Sequence, residues 1–476
     1  MARYAAPARG LMAAGLLLAL VATGAAALLS LAPVWQGFSS VLQRTPRRVT
    51  VSAPSASHVL SGEGVERIIL RTGSGSIEVR VGERPQSASS NEATITYWVQ
   101  GRATGADEAL ALASAAGLRP VATRQGQDLT LTVEDRSEGP ATAAQAWADW
   151  SLEVPAGIGL DLASEHGDIT VRGPIAALKV SSPLGTVAVE GGRGPVVIAG
   201  GFGDVRVAKL SGAVAITTTT GRVELREVGM AAGSVGRLVR VASEFGDVDA
   251  RVVAGVSIDL SAGSGHLAGE RLRAEDGLHL STSFGDVELR QAAAAAVVVS
   301  TRGGDQRLAD LEVSDALTMT SRFGALELLR SDAPLTFARS DSGGVTLSDL
   351  WGQVHMEAGS GDLSLRASED LRPTMRTRSG GIRFDGRIDP LWTGPARFES
   401  EFGDVRVTLR GDQGHDASLA TRFGDVQLDV ELEQRRVVDG VVHGKIAGGG
   451  SMVELRSTSG ELWLEALAST STPDDG

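Results

Sequence analysis

SEFGDVDA, at residues 243–250, is one copy of a pattern that recurs along most of this chain. The pattern is Ser or Thr, two variable residues, Gly, often Asp, and then Val, Ile or Leu alternating with polar residues. Alternation with a period of two is typical of a β-strand that buries one face. The Gly supplies the positive φ of a sharp corner, and the Asp can bond nearby backbone N–H groups in an Asx-type turn.

Fifteen copies follow residue 160, and their turn glycines are about 20 residues apart. These glycines are Gly167, Gly185, Gly203, Gly221, Gly246, Gly265, Gly285, Gly304, Gly324, Gly344, Gly361, Gly381, Gly403, Gly424 and Gly460. The long gap before Gly460 leaves room for one degenerate unit near Val441 to Ile446. A fixed period of this length predicts an all-β, β-helix-like β-solenoid of about 15 units. Its rod would be roughly 70 Å long, or half that length if two units form one coil.

The residues beside the turn glycine follow a second rhythm. Before it, Phe alternates with small residues, as in Phe245, Ser264 and Phe284, which predicts that the rings pack at the corner. After it, Asp alternates with neutral or basic residues, which relieves repulsion between carboxylates about 4.8 Å apart. The rule weakens at Asp286 with Asp305 and at Asp404 with Asp425. Those two pairs are where a cation is expected if one binds.

The rest of the chain divides into four segments. Residues 1–35 contain an uncharged stretch from Gly10 to Trp35 that is apolar except for Thr23 and Ser30. It is about 39 Å long as a helix, which predicts a transmembrane anchor or, as the rival, a signal peptide. Residues 36–57 read as a linker and residues 467–476 as a disordered tail. Residues 58–160 predict a divergent N-terminal cap, with a short helix or long loop near Ala106 to Ala116, ahead of the regular repeats at 161–466.

Composition excludes several classes of protein. The 476 residues include no Cys, which removes disulfides, thiolate metal sites and thiol nucleophiles. The net charge is −13, and a body this acidic repels phosphate backbones. We therefore expect no nucleic-acid partner.

The run WSLEVPAGIGLDLASEHGDITVRG at residues 150–173 leads into the iterated units behind an apolar N-terminus. Together these features resemble the bacterial adhesin-like β-strand-repeat family over residues 58–465. The resemblance implies a right-handed β-helix-like rod on the cell surface or in the periplasm, with no catalytic residue to carry over.

The residues that could form a site also have structural explanations. One Asp per unit is too few for the calcium sites of β-rolls, so we expect Asp168, Asp204 and Asp247 to be structural. Asp341 to Gly344 resembles a protease nucleophile turn, and Gly440 to Lys445 a phosphate loop, but both lack the required partners or spacing.

The remaining candidates are histidines and tryptophans. His266 and His279 are not spaced as a metal pair, and Trp98, Trp147 and Trp150 are expected in the core of the cap. We therefore assign no catalytic, cofactor-binding or metal-binding residue.

These observations predict a membrane-anchored structural or adhesive β-repeat protein of the bacterial envelope, with its body periplasmic or extracellular and no catalysis. An envelope polysaccharide or protein is the expected partner, and the oligomeric state stays open. Two alternatives remain, namely a self-assembling scaffold resembling bactofilins and a polysaccharide-active β-helix enzyme. The first needs an uncapped end, and the second needs a charged groove.

Overall fold

The computed structural model describes residues 49–82, 94–136, 144–229 and 238–467, and its strands join in one continuous sheet. The anchor predicted at 1–35 lies outside these residues, as does the tail beyond Leu467. The first strands are β1 Val49–Ser52, β2 Ala56–Ser61, β3 Arg67–Ser74, β4 Ile77–Gly82, β5 Thr94–Gly105, β6 Leu118–Gln125, β7 Asp128–Asp135 and β8 Ala144–Pro155. Helix α1, Glu108–Gly117, lies between β5 and β6.

The repeats form the strands from β9 onward, usually two for each turn glycine. The first half comprises β9 Gly159–His166, β10 Ile169–Arg172, β11 Ala177–Leu184, β12 Val187–Glu190, β13 Val196–Phe202, β14 Val205–Ala208, β15 Val214–Thr220, β16 Val223–Val228, β17 Leu238–Phe245, β18 Val248–Ser264, β19 Leu267–Phe284 and β20 Val287–Gly303. The second half comprises β21 Gln306–Phe323, β22 Leu326–Asp332, β23 Leu335–Ser342, β24 Val345–Leu350, β25 Gly352–Ser360, β26 Leu363–Ser379, β27 Ile382–Ile388, β28 Ala396–Phe402, β29 Val405–Arg410, β30 His415–Phe423 and β31 Val426–Asp429. The last strands are β32 Glu433–Val438, β33 Val441–Ile446, β34 Ser451–Ser459 and β35 Leu462–Leu467.

Successive repeats pair in parallel through two ladders. In the first ladder β11 pairs with β9 and β13, and in the second β12 pairs with β10 and β14. Ile169 lies opposite Val187, and Val187 lies opposite Val205, so the register advances by one repeat at each step. Each repeat therefore adds one rung to both ladders, and we call this unit a coil. One unit, not two, forms each coil.

An aliphatic core fills the space between the ladders. Val205, Val223 and Val248 occupy the same place in successive coils and are at most 1% exposed. Their strands alternate buried and outward-facing residues, as the period of two predicts. Burying each such side chain contributes about 1.5–3 kcal/mol, so a strand shifted by one residue would lose several of them.

The N-terminal end departs from chain order. The coil formed by β3 and β4 lies between β9 with β10 on one side and β7 with β8 on the other. Antiparallel strands then close the end, because β6 pairs with β7, β5 pairs with β8, and β1 and β2 pair with β5. Residues 49–57 thus belong largely to strands, and the linker expected at 36–57 does not extend to 57 in the structure.

Helix α1 packs on this end where sequence indicated a helix or loop. Asp107 caps it, since its Oδ1 accepts hydrogen bonds from the N–H groups of Ala109 at 2.8 Å and Leu110 at 3.1 Å. Ala111 and Ala115 are buried with Ala103 in a small separate cluster. Among the described residues, no helix is long and apolar enough to cross a membrane.

The C-terminal end also departs from chain order. The last coil, β34 with β35, lies between β28 with β29 and β30 with β31. The strand at Val441–Ile446 is β33, which runs antiparallel to both β30 and β32. The expectation of a degenerate unit there is therefore wrong, because this segment forms a hairpin that covers the end of the first ladder.

Candidate functional site

The coil has two sharp corners, and the glycine corner is the one visible in the sequence. At Gly285 φ is +150°, and a Cβ there would lie 2.1 Å from the carbonyl oxygen of Gly265 in the preceding coil. Both the dihedral angle and the close approach therefore require glycine. In two repeats the corner residue is the first glycine of a pair, Gly343 and Gly380, rather than the expected Gly344 and Gly381.

In most coils the Ser or Thr three residues before the corner ties that coil to the preceding one, whereas the buried hydroxyls of Ser182 and Ser243 at the same position make no hydrogen bond. The hydroxyl of Ser340 donates to the carbonyl of Gly324 at 3.1 Å, and that of Ser400 donates to Gly380 at 3.0 Å. Both side chains are at most 5% exposed. These bonds satisfy a buried hydroxyl and a corner carbonyl together, which explains why the motif begins with Ser or Thr.

The Asp after the corner also makes a bond between coils. Its Oδ1 accepts the backbone N–H of the equivalent residue in the next coil, as Asp247 does from His266 at 3.0 Å and Asp286 does from Asp305 at 2.9 Å. The hydrogen bond from His266, with smaller contributions from Arg222, holds the pKa of Asp247 below its ordinary value. The expected Asx-type turn within one unit is thus replaced by a contact from coil to coil.

The two carboxylate pairs singled out in the sequence differ in the structure. Asp286 and Asp305 occupy successive coils, and Asp305 in turn accepts the N–H of Ala325 at 2.9 Å. Asp404 and Asp425 are separated by the inserted coil, whose Glu461 N–H donates to Asp404 at 2.9 Å. Across residues 49–467, excluding the gaps, no group of three His, Asp or Glu side chains is placed to hold a metal ion.

The phenylalanines before the corner face solvent and are more than half exposed, so the prediction that their rings pack at the corner is wrong as far as burial is concerned. The two residues before the glycine, such as Glu244 and Phe245, are both exposed because the corner interrupts the alternation of the strand. Six rings between 53% and 62% exposed form one row along this edge. We call them the Phe row: Phe202, Phe245, Phe284, Phe323, Phe402 and Phe423.

Arginines accompany two of these rings. The guanidinium of Arg322 lies 5.4 Å from the ring centroid of Phe323, and that of Arg422 lies 5.2 Å from Phe423. Aromatic and arginine side chains together are enriched where proteins bind macromolecules. The row is therefore the strongest candidate binding surface on the described part of the chain.

The second corner was missed by sequence reasoning. It lies six residues after the corner glycine in eight successive coils, where φ is between +53° and +58° on residues other than glycine. These are Lys209, Glu227, Val252, Arg271, Gln291, Asp310, Arg330 and Asp349. Six of these eight residues are charged, but no single residue type is common to all of them, so only the constant offset from the glycine could have revealed this corner.

Oppositely charged groups follow one another along the second corner. Lys209 Nζ lies 2.8 Å from Glu190 Oε1, and Arg330 Nε lies 2.6 Å from Asp310 Oδ1. The ion pair lowers the pKa of Asp310 below its ordinary value. Both pairs are exposed, so they add little to stability.

The remaining candidates occupy structural positions. Asp341 to Gly344 is a glycine corner, and Gly440 to Lys445 lies in the β33 hairpin. His266 takes the place of an Asp after the corner. Trp150 is buried in the cap at 2% exposure, with its ring 6.0 Å from that of Tyr97, as expected of a core residue. Trp98 and Trp147 are only half-buried, so the expectation that they also lie in this core is wrong, because they alternate with the buried residues of β5 and β8.

Comparison with known proteins agrees with this repeat architecture. Residues 233–465 match the model of the Toastrack DUF4097 family. This range holds the corners from Gly246 to Gly460, so the β-repeat character predicted from the sequence has family support there. The match does not name the adhesin-like family to which the sequence was likened.

Two further comparisons add no argument about function. A crystal structure described as that of a "putative cell adhesion protein" from Clostridium sporogenes is 8% identical, with 87% of this chain and 99% of the other covered. Its TM-score of 0.15 is too low to relate the two folds in detail. No curated protein matches the chain.

Proposed function

We propose that this chain is a β-solenoid rod that serves as a structural or adhesive module of the bacterial envelope. The observation that carries the proposal is the pair of ladders, which run from the N-terminal cap to the C-terminal hairpin around an aliphatic core. Such a stack presents long edges to solvent and suits the display of repeated contacts along a line. The Phe row is the edge best suited to bind a partner.

The proposal includes an N-terminal membrane anchor and a body outside the cytoplasm. Support comes from residues 10–35, whose uncharged length exceeds a hydrocarbon layer of roughly 30 Å. The absence of Cys is compatible with either compartment.

Catalysis is not part of the proposal. Where the surroundings shift a carboxyl pKa in the described part of the chain, they lower it, as Arg410 does for Asp385 and Leu391 with Arg372 does for Asp389. A glycosidase-type acid instead needs a raised pKa. One open groove of about 460 Å³ is lined by Arg376, Glu399 and other side chains, but Arg376 and Glu399 pair with each other at 3.8 Å.

End-to-end assembly resembling that of bactofilins is the weaker alternative. Antiparallel strands cover the N-terminal end, and the hairpin of β32 and β33 covers the first ladder at the C-terminal end. Strands of this kind interrupt the parallel stacking that polymerisation would continue.

Two measurements test the proposal, one on isolated membranes and one on cells. The full chain should remain in membranes through alkaline carbonate washing, and protease added outside should cleave the body once any outer barrier is opened. Recovery of a soluble mature chain that begins at Leu28 would contradict the anchor. If the body resists protease in cells in which only the cytoplasmic membrane is intact, the proposed location outside the cytoplasm is contradicted.

A further inference from the structure

The Phe row has a strict periodicity in space. If the coil of Phe202 is numbered zero, the six rings lie on coils 0, 2, 4, 6, 10 and 12, because the coil of Ser459 is inserted between those of Phe402 and Phe423. Rings on neighbouring even coils are thus about 9.6 Å apart. Every odd coil carries a small residue: Thr220, Ser264, Gly303, Ser342, Ser379 or Ser459. The one even coil without a ring, coil 8, carries Ser360.

A row of this kind is complementary to itself. When two copies face each other in opposite directions about a two-fold axis lying between two coils, every even coil of one faces an odd coil of the other. Within the overlap of the two rows, each ring then lies above a Ser, Thr or Gly of the partner. It lies between two partner rings wherever both neighbouring even coils of the partner carry one, and beside a single ring where the neighbour is coil 8 with Ser360. Two-fold symmetry closes the assembly at two copies.

The exposed area is of the size that such a pair needs. A fully buried Phe covers about 150–250 Å², and the six rings are slightly more than half exposed, so the row offers roughly 600 Å² per copy. A stable interface buries about 800 Å² per partner, and side chains flanking the rings can supply the difference.

Several registers place the even coils of one copy opposite the odd coils of the other. The charges beside the rings favour one of these registers. An axis midway between the coils of Phe323 and Ser342 places each of these residues opposite the other in the second copy. It also places Arg322, which precedes Phe323, opposite Asp341, which precedes Ser342. The two opposite charges would meet twice, on either side of the axis.

We propose that the Phe row binds a second copy of this chain in an antiparallel, interlocked dimer. The pairing itself is independent of the proposed location. If residues 1–35 anchor the chain as proposed, the anchors leave from opposite ends of the paired rods, which suits contact between two membranes.

The test compares a new ring on an odd-numbered coil with a new ring on an even-numbered coil. The two matched substitutions are Ser342→Phe and Ser360→Phe. Both serines are exposed, precede a corner glycine and lie one coil apart. Phe on odd coil 7 fills a space that a partner ring must enter, and should raise the dissociation constant of the full-length dimer at least about tenfold. Phe on even coil 8 faces a small residue, and should leave the constant unchanged or lower it.

Sedimentation velocity of the full chain in detergent gives these constants, and circular dichroism verifies that each variant is folded. Nonspecific adhesion between apolar surfaces would strengthen association in both variants, and that result would overturn the proposal. Equal weakening by both would overturn it as well. A wild-type chain that is monomeric across the micromolar range would overturn it and leave a glycan or another protein as the occupant.

A second variant tests the rings themselves. Phe284→Ser with Phe323→Ser removes two central rings from each copy and should raise the dissociation constant about a hundredfold or more. The control, Gln291→Ser with Arg330→Ser, alters the second corner of the same two coils and should not change it. A disulfide test checks the favoured register directly, because the chain has no Cys of its own. One tagged full chain carries Phe245→Cys and a second, differently tagged full chain carries Ser459→Cys, since the coils of these two residues face each other in that register. Disulfides should form between these different variants and not between two copies bearing cysteine at Phe245.

Discussion

The two corners of each coil both require a residue with positive φ, but they meet that requirement in different ways. At the glycine corner, Gly285 combines φ of +150° with a carbonyl 2.1 Å from where a Cβ would lie. At the second corner, Gln291 adopts φ of +56° with its side chain exposed to solvent. One corner therefore restricts residue type by contact between coils, whereas the other is imposed by the strands that flank it. Periodicity in a sequence reveals corners of the first kind only.

The largest effect should come from changing the distance between the corners. Deleting Thr301 to Thr320 removes one whole coil, because Thr301 lies opposite Ser321, and should leave a folded, shorter rod. Deleting ten residues from the same place would stack unlike corners and turn buried aliphatic side chains outward, at about 1.5–3 kcal/mol each. Circular dichroism and denaturant melts compare the two. Equal stability of both deletions would contradict a coil of one unit.

A single methyl group should distinguish the two corners. Gly285→Ala places Cβ against the carbonyl of Gly265 and should reduce the free energy of unfolding by about 3 kcal/mol or more. Gln291→Ala, six residues later, should change it by less than about 0.5 kcal/mol. Urea unfolding measures both, and comparable losses would show that the second corner also depends on residue type.

The carboxylate beside the glycine corner should make a smaller, pH-dependent contribution. The pKa of Asp247 is lower in the folded chain than its ordinary value of about 4, so its stabilisation is present above that pH and is lost as pH falls through the folded pKa. Asp247→Ala should therefore cost about 1 kcal/mol at neutral pH and less in acid.

The control for this variant is a chelator. It should leave the melting temperatures of the wild type and the variant unchanged, because the carboxylate binds backbone N–H rather than a cation. A drop in the wild type alone would restore the calcium interpretation.

The smallest effect is expected at the exposed charges of the second corner. Arg330→Ala removes the ion pair with Asp310, and both side chains are largely exposed to solvent. Its melting temperature should fall slightly at low ionic strength and match that of the wild type in high salt, since the pair is screened. A deficit that persists in high salt would mean that the Arg330 stem packs on the coil.

Much of the fold could be predicted from the sequence because its determinants are local. The corner glycine, the Ser or Thr three residues earlier and the alternating valines all lie within one repeat. The direction of Phe245 could not be predicted, since it depends on where the corner interrupts the strand. The positions of β3 with β4 and of β34 with β35 depend on pairing between distant segments, which no pattern within a repeat specifies.

The candidate site was predictable only in part. The rhythm of Phe and small residues was visible, yet it became regular only when Ser459 was placed between Phe402 and Phe423. The same placement separates Asp404 from Asp425, which the sequence predicts to be neighbours, by one coil. The order of residues in the sequence was therefore sufficient to find the Phe row. It was insufficient to give the order of its coils in space.

The inserted last coil imposes an order of events during synthesis. Residues 451–467 are the last described part to leave the ribosome, yet they lie between coils made earlier. Until they emerge, β28 and β29 have no neighbour on one side, and β30 and β31 cannot reach their final places. The coils before this point can stack as they are synthesised, but strands β28 to β31 complete their pairing only after residues 451–467 have emerged. A chain terminated before residue 451 would thus expose two unpaired strand edges. Such edges make a chain susceptible to proteolysis and aggregation.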